Sequence, residues 1–214
     1  MEQEIKLFVF DLDGTLNRTD LFSVAAHQAV QAEMGWPVLS AGEICATFGE
    51  PAEQYMPRLL PGADRETVRR YLTRVSEMEY EFLDHAAPYQ GCPQLLDLLH
   101  ERGFRTAVCS NASLRYITMV LKAIGLDDRI DFLQPLEPGM HSKAESLRSL
   151  LERVKPSFAV MVGDTLLDCE AAQENGIPFI GCAYGFRPEE MKQVECAVAQ
   201  PLDILTLSAR LPRR

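Results

Sequence analysis

Residues 6–16 read Lys-Leu-Phe-Val-Phe-Asp-Leu-Asp-Gly-Thr-Leu. The apolar run Leu7-Phe8-Val9-Phe10 is rich in strand formers and too short for a helix. It has no polar face, the pattern of a strand covered on both sides in a parallel sheet. Asp11 and Asp13 follow at its carboxyl end, and Gly14 permits a sharp exit. In open α/β sheets, ligands bind outside the carboxyl ends of the strands. Two carboxylates therefore stand where such a fold does its chemistry. Taken alone, the same residues also read as an ordinary strand ending in an Asp/Gly turn.

Downstream, residues 17–88 read as helical throughout. Leu21, Phe22, Ala25, Ala29 and Val30 recur at helical spacing ahead of Gly35. Ser40 and Glu43 form a capping-box pattern for a short helix ending near Gly49. Pro51 opens another, closed by Leu59-Leu60-Pro61-Gly62. Asp64 caps a longer one with Val68, Tyr71, Leu72, Val75, Met78 and Phe82 on one side.

From residue 89 the pattern alternates. Helices centred on Leu95–Leu99, Leu114–Ile124 and Leu147–Leu151 intervene between strand patterns at 104–109, 131–136 and 158–162. Ser142 and Glu145 give a second capping box, and Thr165 with Asp168 opens a helix ended by Asn175-Gly176. Strands at 178–182 and 196–199 complete the series, and the tail at 211–214 is expected to fray. The alternation predicts a Rossmann-like parallel sheet with helices on both faces. Residues 1–16 and 89–214 form its core, and the helical unit 17–88 is inserted.

A chain of 214 residues with 47% apolar content suits one large domain, or a core with an insert. Its formal net charge of −10 disfavours attraction to nucleic acid or an anionic membrane. An anionic substrate then needs local cations. The start MEQEIK is unlike a signal peptide, and no apolar run approaches the ~20 residues of a spanning helix. The six cysteines are scattered without a CxxC pair, as reduced thiols are. A cytoplasmic protein, monomer or homodimer, is expected. His27, His85, His100 and His141 show no metal-ligand spacing.

The hexapeptide Asp11-Leu12-Asp13-Gly14-Thr15-Leu16 resembles the first signature of the haloacid dehalogenase-like hydrolases, the aspartate-nucleophile phosphatases. Ser110-Asn111, Lys143 and Asp164 with Asp168 follow in the order of that family's other signatures. The insert at 17–88 resembles its helical cap, and phosphoglycolate phosphatase-like enzymes are the nearest subgroup by overall pattern. The resemblance implies Asp11 as nucleophile, Asp13 as general acid and base, and Lys143 as stabiliser of the transferring phosphoryl group. It implies Mg²⁺ held by Asp11, the Asp13 backbone, Asp164 and Asp168. Ser110, Asn111, Gly14, Thr15 and Arg18 are the expected phosphate and substrate contacts. The expected partner is a small phosphorylated metabolite.

Plainer readings stand beside these. Ser110 and Asn111 also fit a helix cap, and Asp168 also fits a cap on its own helix. Lys143 follows a capping serine at the positive end of a helix dipole, where a cation needs a nearby anion. Arg18 fits a solvated charge as well as a substrate contact. Glu50, Tyr55 and Arg58 are further specificity candidates in the cap. Asp13 argues against a dehalogenase, and the absence of lysine from residues 17–88 argues against a phosphonate-cleaving enzyme. A phosphosugar mutase shares all four signatures, and a non-catalytic binding protein is the reading from a different class.

Overall fold

The structure is a computed structural model that describes residues 4–50 and 52–208. The helix-opening role expected of Pro51, the first residues of MEQEIK and the fraying tail fall outside the described residues. In chain order the elements are β1 (Lys6–Phe10), α1 (Asp20–Glu33), α2 (Ala41–Cys45), α3 (Ala52–Leu59), α4 (Arg65–Glu81), α5 (Cys92–Glu101), β2 (Arg105–Cys109) and α6 (Leu114–Ala123). They continue with β3 (Phe132–Gln134), α7 (Lys143–Val154), β4 (Phe158–Gly163), α8 (Leu166–Glu174), β5 (Phe179–Cys182), α9 (Pro188–Met191), β6 (Ala197–Val198) and α10 (Ile204–Ser208).

The six strands form one sheet in the order β3-β2-β1-β4-β5-β6, and every neighbouring pair is parallel. This is the α/β fold expected from the alternation. β1 lies centrally because both of its faces are apolar. Phe8 and Phe10 pack on one side with Leu95, Leu96, Ile117 and Val120 from α5 and α6. Leu7 and Val9 pack on the other with Leu147 and Leu150 from α7. Each such side chain, fully buried, contributes about 1.5–3 kcal/mol as an upper estimate. The chain leaves β1 for β2 on one flank and returns to β4 on the other. The carboxyl ends of β1, β2 and β4 therefore border the switch point where ligands bind in such sheets.

The helices α1 to α4 gather around a separate apolar cluster of Ala26, Val30, Ile44, Met56, Leu59, Tyr71 and Val75. Their caps follow the sequence signals. Ser40 and Glu43 form the full reciprocal box, and Asp64 accepts from Thr67 N at 2.7 Å. Two segments link these helices to the sheet, and they are bonded to each other. Arg18 N donates to Ala87 O, Tyr89 N donates to Leu16 O, both at 2.9 Å, and Asn17 bridges Pro88.

Two local expectations are corrected. Ser142 does cap α7, but the Glu145 carboxylate accepts from His141 N at 2.8 Å instead of from Ser142, so only half of that box forms. The cap of α6 is Ser113, which accepts from Tyr116 N, and not Ser110 or Asn111. All six cysteines are free. No helix among the described residues is long and apolar enough to cross a membrane.

Candidate active site

A cleft of about 720 Å³ opens where the sheet faces the helices α1, α3 and α4. That volume lies within the roughly 300–1,000 Å³ of small-molecule sites. Asp11, Asp13, Ser110, Asn111 and Lys143 line its floor, and Ser23, His27, Tyr55 and Glu79 line its roof.

Asp11 continues the alternation of Leu7 and Val9, and so emerges on the side covered by α7. There Lys143, the first residue of that helix, donates to Asp11 Oδ1 at 2.5 Å. The same ammonium pairs with Asp168. All three side chains are buried, at 6% exposure for Lys143, 7% for Asp11 and 0% for Asp168. Burial alone would lower the Lys143 pKa, but the carboxylates of Asp11 and Asp168 outweigh it and hold the ammonium protonated. Burial pushes Asp11 up to about 7 against the pull of Lys143. The anion needed beside a cation at a helix start is thus present twice. Asp168 fills its expected capping role, completing a reciprocal box with Thr165, and also pairs with Lys143.

Asp13 is oriented by three donors that converge on one oxygen. Thr19 Oγ1 reaches Asp13 Oδ1 at 2.5 Å, Tyr116 Oη at 3.0 Å and Asn17 Nδ2 at 3.1 Å. None of the described hydrogen bonds takes Oδ2. Burial raises the Asp13 pKa, with the three hydrogen bonds opposing. A carboxyl group held by one oxygen and kept protonatable is suited to proton transfer.

Asp164 directly follows β4 and is fully buried. Its carboxylate accepts from Phe186 N at 2.7 Å and from Thr15 Oγ1 at 3.3 Å. A Cβ on Gly14 or on Gly185 would collide with it, so both glycines permit the close approach. Burial, then the charges of Asp11 and Asp168, drive its pKa well up.

Oxygens of Asp11, Asp164 and Asp168 lie within 4.8 Å of one another, all buried. Lys143 pairs with Asp11 and Asp168 only, and burial disfavours the charged form of Asp164, so ionising all three carboxyl groups together calls for a further cation. An all-oxygen donor set of this kind suits a hard divalent cation such as Mg²⁺.

Of the residues singled out in the sequence, Asp11, Asp13, Ser110, Asn111 and Lys143 meet in the cleft, with Asp164 and Asp168 behind them. Three expected substrate contacts do not reach its lining. Gly14 and Thr15 are turned to Asp164, because the tight turn after β1 is what seats that carboxylate. Arg18 is held away by a two-pronged pair with Asp20, at 2.8 and 2.7 Å, and lies over the Tyr89 ring. Among the cap candidates, Tyr55 and Glu50 line the cleft, while Arg58 is exposed and pairs with Glu50.

Sequence reasoning missed Tyr116, Glu79 and Arg187. Arg187, beside α9, donates to Glu50 Oε1 at 2.5 Å and to Ala46 O at 2.6 Å, joining the sheet side to the loops around α2 and α3. Glu79 had a readable signal. It stands four residues beyond Val75 on the apolar face of α4, where a carboxylate is out of place. Tyr116 and Arg187 carry no comparable local mark.

The model of the family described as haloacid dehalogenase-like hydrolase matches residues 8–182. A phosphoglycolate phosphatase of Vibrio vulnificus is 29% identical over 228 residues, covering 97% of this chain and 99% of that protein. An N-acetylmuramic acid 6-phosphate phosphatase of Pseudomonas aeruginosa is 27% identical over 87% of this chain and 85% of that protein. A haloacid dehalogenase-like family hydrolase of Streptococcus pneumoniae superposes with a TM-score of 0.85 at 20% identity, covering 95% of this chain and 98% of that one. The last shows a shared fold.

Proposed function

The chain belongs to the haloacid dehalogenase-like hydrolases, and on that premise we propose that it is a Mg²⁺-dependent cytoplasmic phosphatase of a small phosphorylated metabolite, acting through an aspartyl-phosphate. The observation that carries this reading is the buried Asp11–Lys143–Asp168 triad, set beside an Asp13 whose described hydrogen bonds all go to Oδ1 and leave Oδ2 to a substrate. A carboxylate nucleophile is useful only if its negative charge and that of a phosphate dianion are offset together. Lys143 supplies one cation for this, and Asp11, Asp164 and Asp168 are the residues that would hold the metal. A bound Mg²⁺ would supply further neutralisation of the phosphate charge.

In the first half-reaction an Asp11 carboxylate oxygen attacks phosphorus and the bond to the alcohol oxygen breaks. Asp13, whose protonated form burial favours, gives its proton to the leaving alkoxide. In the second, ionised Asp13 takes a proton from water as that water attacks the aspartyl-phosphate. Inorganic phosphate leaves and Asp11 is regenerated. Ser110, buried at the end of β2, and Asn111 are placed to bind a phosphoryl oxygen, since neither is spent on capping α6. Residues 17–88 act as the cap and 1–16 with 89–214 as the core. Similarity to phosphoglycolate phosphatases across nearly the whole chain supports the reaction class.

The test is phosphate release from 4-nitrophenyl phosphate and a panel of phosphorylated metabolites, with Mg²⁺ and with a chelator. Release with Mg²⁺, abolished by chelation, is expected. No release from any ester, or isomerisation of a hexose 1-phosphate in its place, would overturn the reading.

A further inference from the structure

Among the described residues, the roof of the cleft presents no lysine or arginine to receive a second anionic group of a substrate. Lys143 is the one lysine among the described lining residues, and no arginine joins it. That lysine is already committed to Asp11 and Asp168. Arg18 is committed to Asp20 outside the lining, and Arg58 and Arg187 are both committed to Glu50. The roof instead presents a carboxylate. Glu79 projects from the cleft-facing side of α4, and Ser23 Oγ of α1 donates to its Oε1 at 2.6 Å. The groups acting on it are Asp13, Tyr55, Tyr71 and Tyr116, none of them cationic, and the roof histidine, His27, is bonded to Tyr71 Oη at 2.7 Å and pushed down to about 4 by burial, which keeps its ring neutral. None of the four arginines on the same helix, Arg65, Arg69, Arg70 and Arg74, joins the described lining, and the one nearest Glu79 in sequence, Arg74, pairs with Glu33 and Glu77.

We propose that Glu79 is a specificity-determining residue, and that this phosphatase selects monoesters whose alcohol part bears hydroxyl or amino donors and no second anionic group. The inference rests on the phosphatase reading above and names its substrate class. Ionised, as at the pH 8 of the assay below, Glu79 accepts hydrogen bonds and offers none, so its Oε2 rewards a hydroxyl or an ammonium. A substrate carboxylate at the same place meets a like charge in a half-buried setting, where repulsion is poorly screened. Ser23 fixes the orientation of the acceptor. Phosphoglycolate, whose alcohol part ends in a carboxylate, is then a poor substrate despite the names of several relatives.

The experiment measures kcat/KM at pH 8 with Mg²⁺ for glycerol 1-phosphate, 2-aminoethyl phosphate and phosphoglycolate. Each value is taken relative to 4-nitrophenyl phosphate on the same protein. Wild type is expected to favour the first two over phosphoglycolate by on the order of tenfold or more. In Glu79→Gln, nearly isosteric and uncharged, that preference should shrink severalfold, chiefly through a lower KM for phosphoglycolate. Glu79→Ser provides the same comparison if the glutamine variant is insoluble, and the wild-type ranking decides by itself if neither folds. A wild-type preference for phosphoglycolate, or an unchanged ranking in both variants, would overturn the proposal while leaving the phosphatase reading intact. No turnover of any ester, 4-nitrophenyl phosphate included, would instead remove the phosphatase reading and the proposal with it.

Discussion

Replacing Lys143 by methionine keeps most of the side-chain volume and deletes one ammonium that serves two carboxylates. Exposures of 6% for Lys143, 7% for Asp11 and 0% for Asp168 mean that water does not replace it. Breaking a buried pair by removing one partner costs about 3–5 kcal/mol, because the remaining charge is left uncompensated. Two such charges remain here, which puts the expectation near the upper part of that range, about 4 kcal/mol or more. At 2–4 °C per kcal/mol for a chain of this size, the melting temperature should fall by roughly 8–16 °C. The Arg18–Asp20 pair is the internal control. Its side chains are 40% and 24% exposed, and Arg18→Met should cost less than about 1 kcal/mol. Thermal and urea unfolding of both variants, in chelator at pH 7.5, provide the comparison. A Lys143→Met protein that melts within 3 °C or so of wild type would refute the reasoning, since it would show the triad to be solvated.

Asp11→Asn should retain the fold and lose turnover, because a carboxamide is no comparable nucleophile; normal phosphate release from the folded variant would remove the nucleophile assignment. Asp13→Asn should lose about 10²–10⁴-fold on an alkyl phosphate and less in the phosphorylation step with 4-nitrophenyl phosphate, whose leaving group needs little protonation. Mass spectrometry should then detect a trapped phospho-enzyme, and equal losses with no trapped species would count against the proton-transfer role. Burial raises Glu79 to about 7 from 4.5, so its ionised form is disfavoured in the fold. The destabilisation is absent below pH 4.5, grows as pH rises and is complete above pH 7. Glu79→Gln should therefore stabilise the protein by up to about 3 kcal/mol at pH 8 and by nothing near pH 4.5, in urea titrations at the two pH values. A pH-independent difference would contradict that origin.

The parts of the fold and site legible in the sequence are those whose signals are local. The two-sided burial of β1 follows from four consecutive apolar residues, and the caps at Ser40, Asp64 and Thr165 follow from residues three apart. Asp11, Asp13 and Asp164 are found because strand ends in a parallel sheet converge. The half-formed box at Ser142 shows the limit of local reading, since Glu145 has two backbone donors within reach and takes His141 N. Tyr116 meets Asp13 across 103 positions and Arg187 meets Glu50 across 137, so nothing in either neighbourhood announces the contact. Of the two readings open for Arg18, the structure fits the solvated charge, for a related reason. Its nearness to Asp13 in sequence suggested nearness to substrate, but Asp20, two residues on, captures the guanidinium first.

The two segments that carry the chain between the sheet and α1–α4 are zipped together through Arg18, Ala87, Tyr89 and Leu16. Two independent tethers would let the helical unit twist and tumble over the cleft. A hydrogen-bonded ribbon resists torsion about its length and bends mainly across its thin direction. Any displacement of the helices is thereby reduced to something near a single degree of freedom, like a page turning on its spine. For any rearrangement of the helices over the cleft the search is then close to one-dimensional, and little orientational entropy is left to lose.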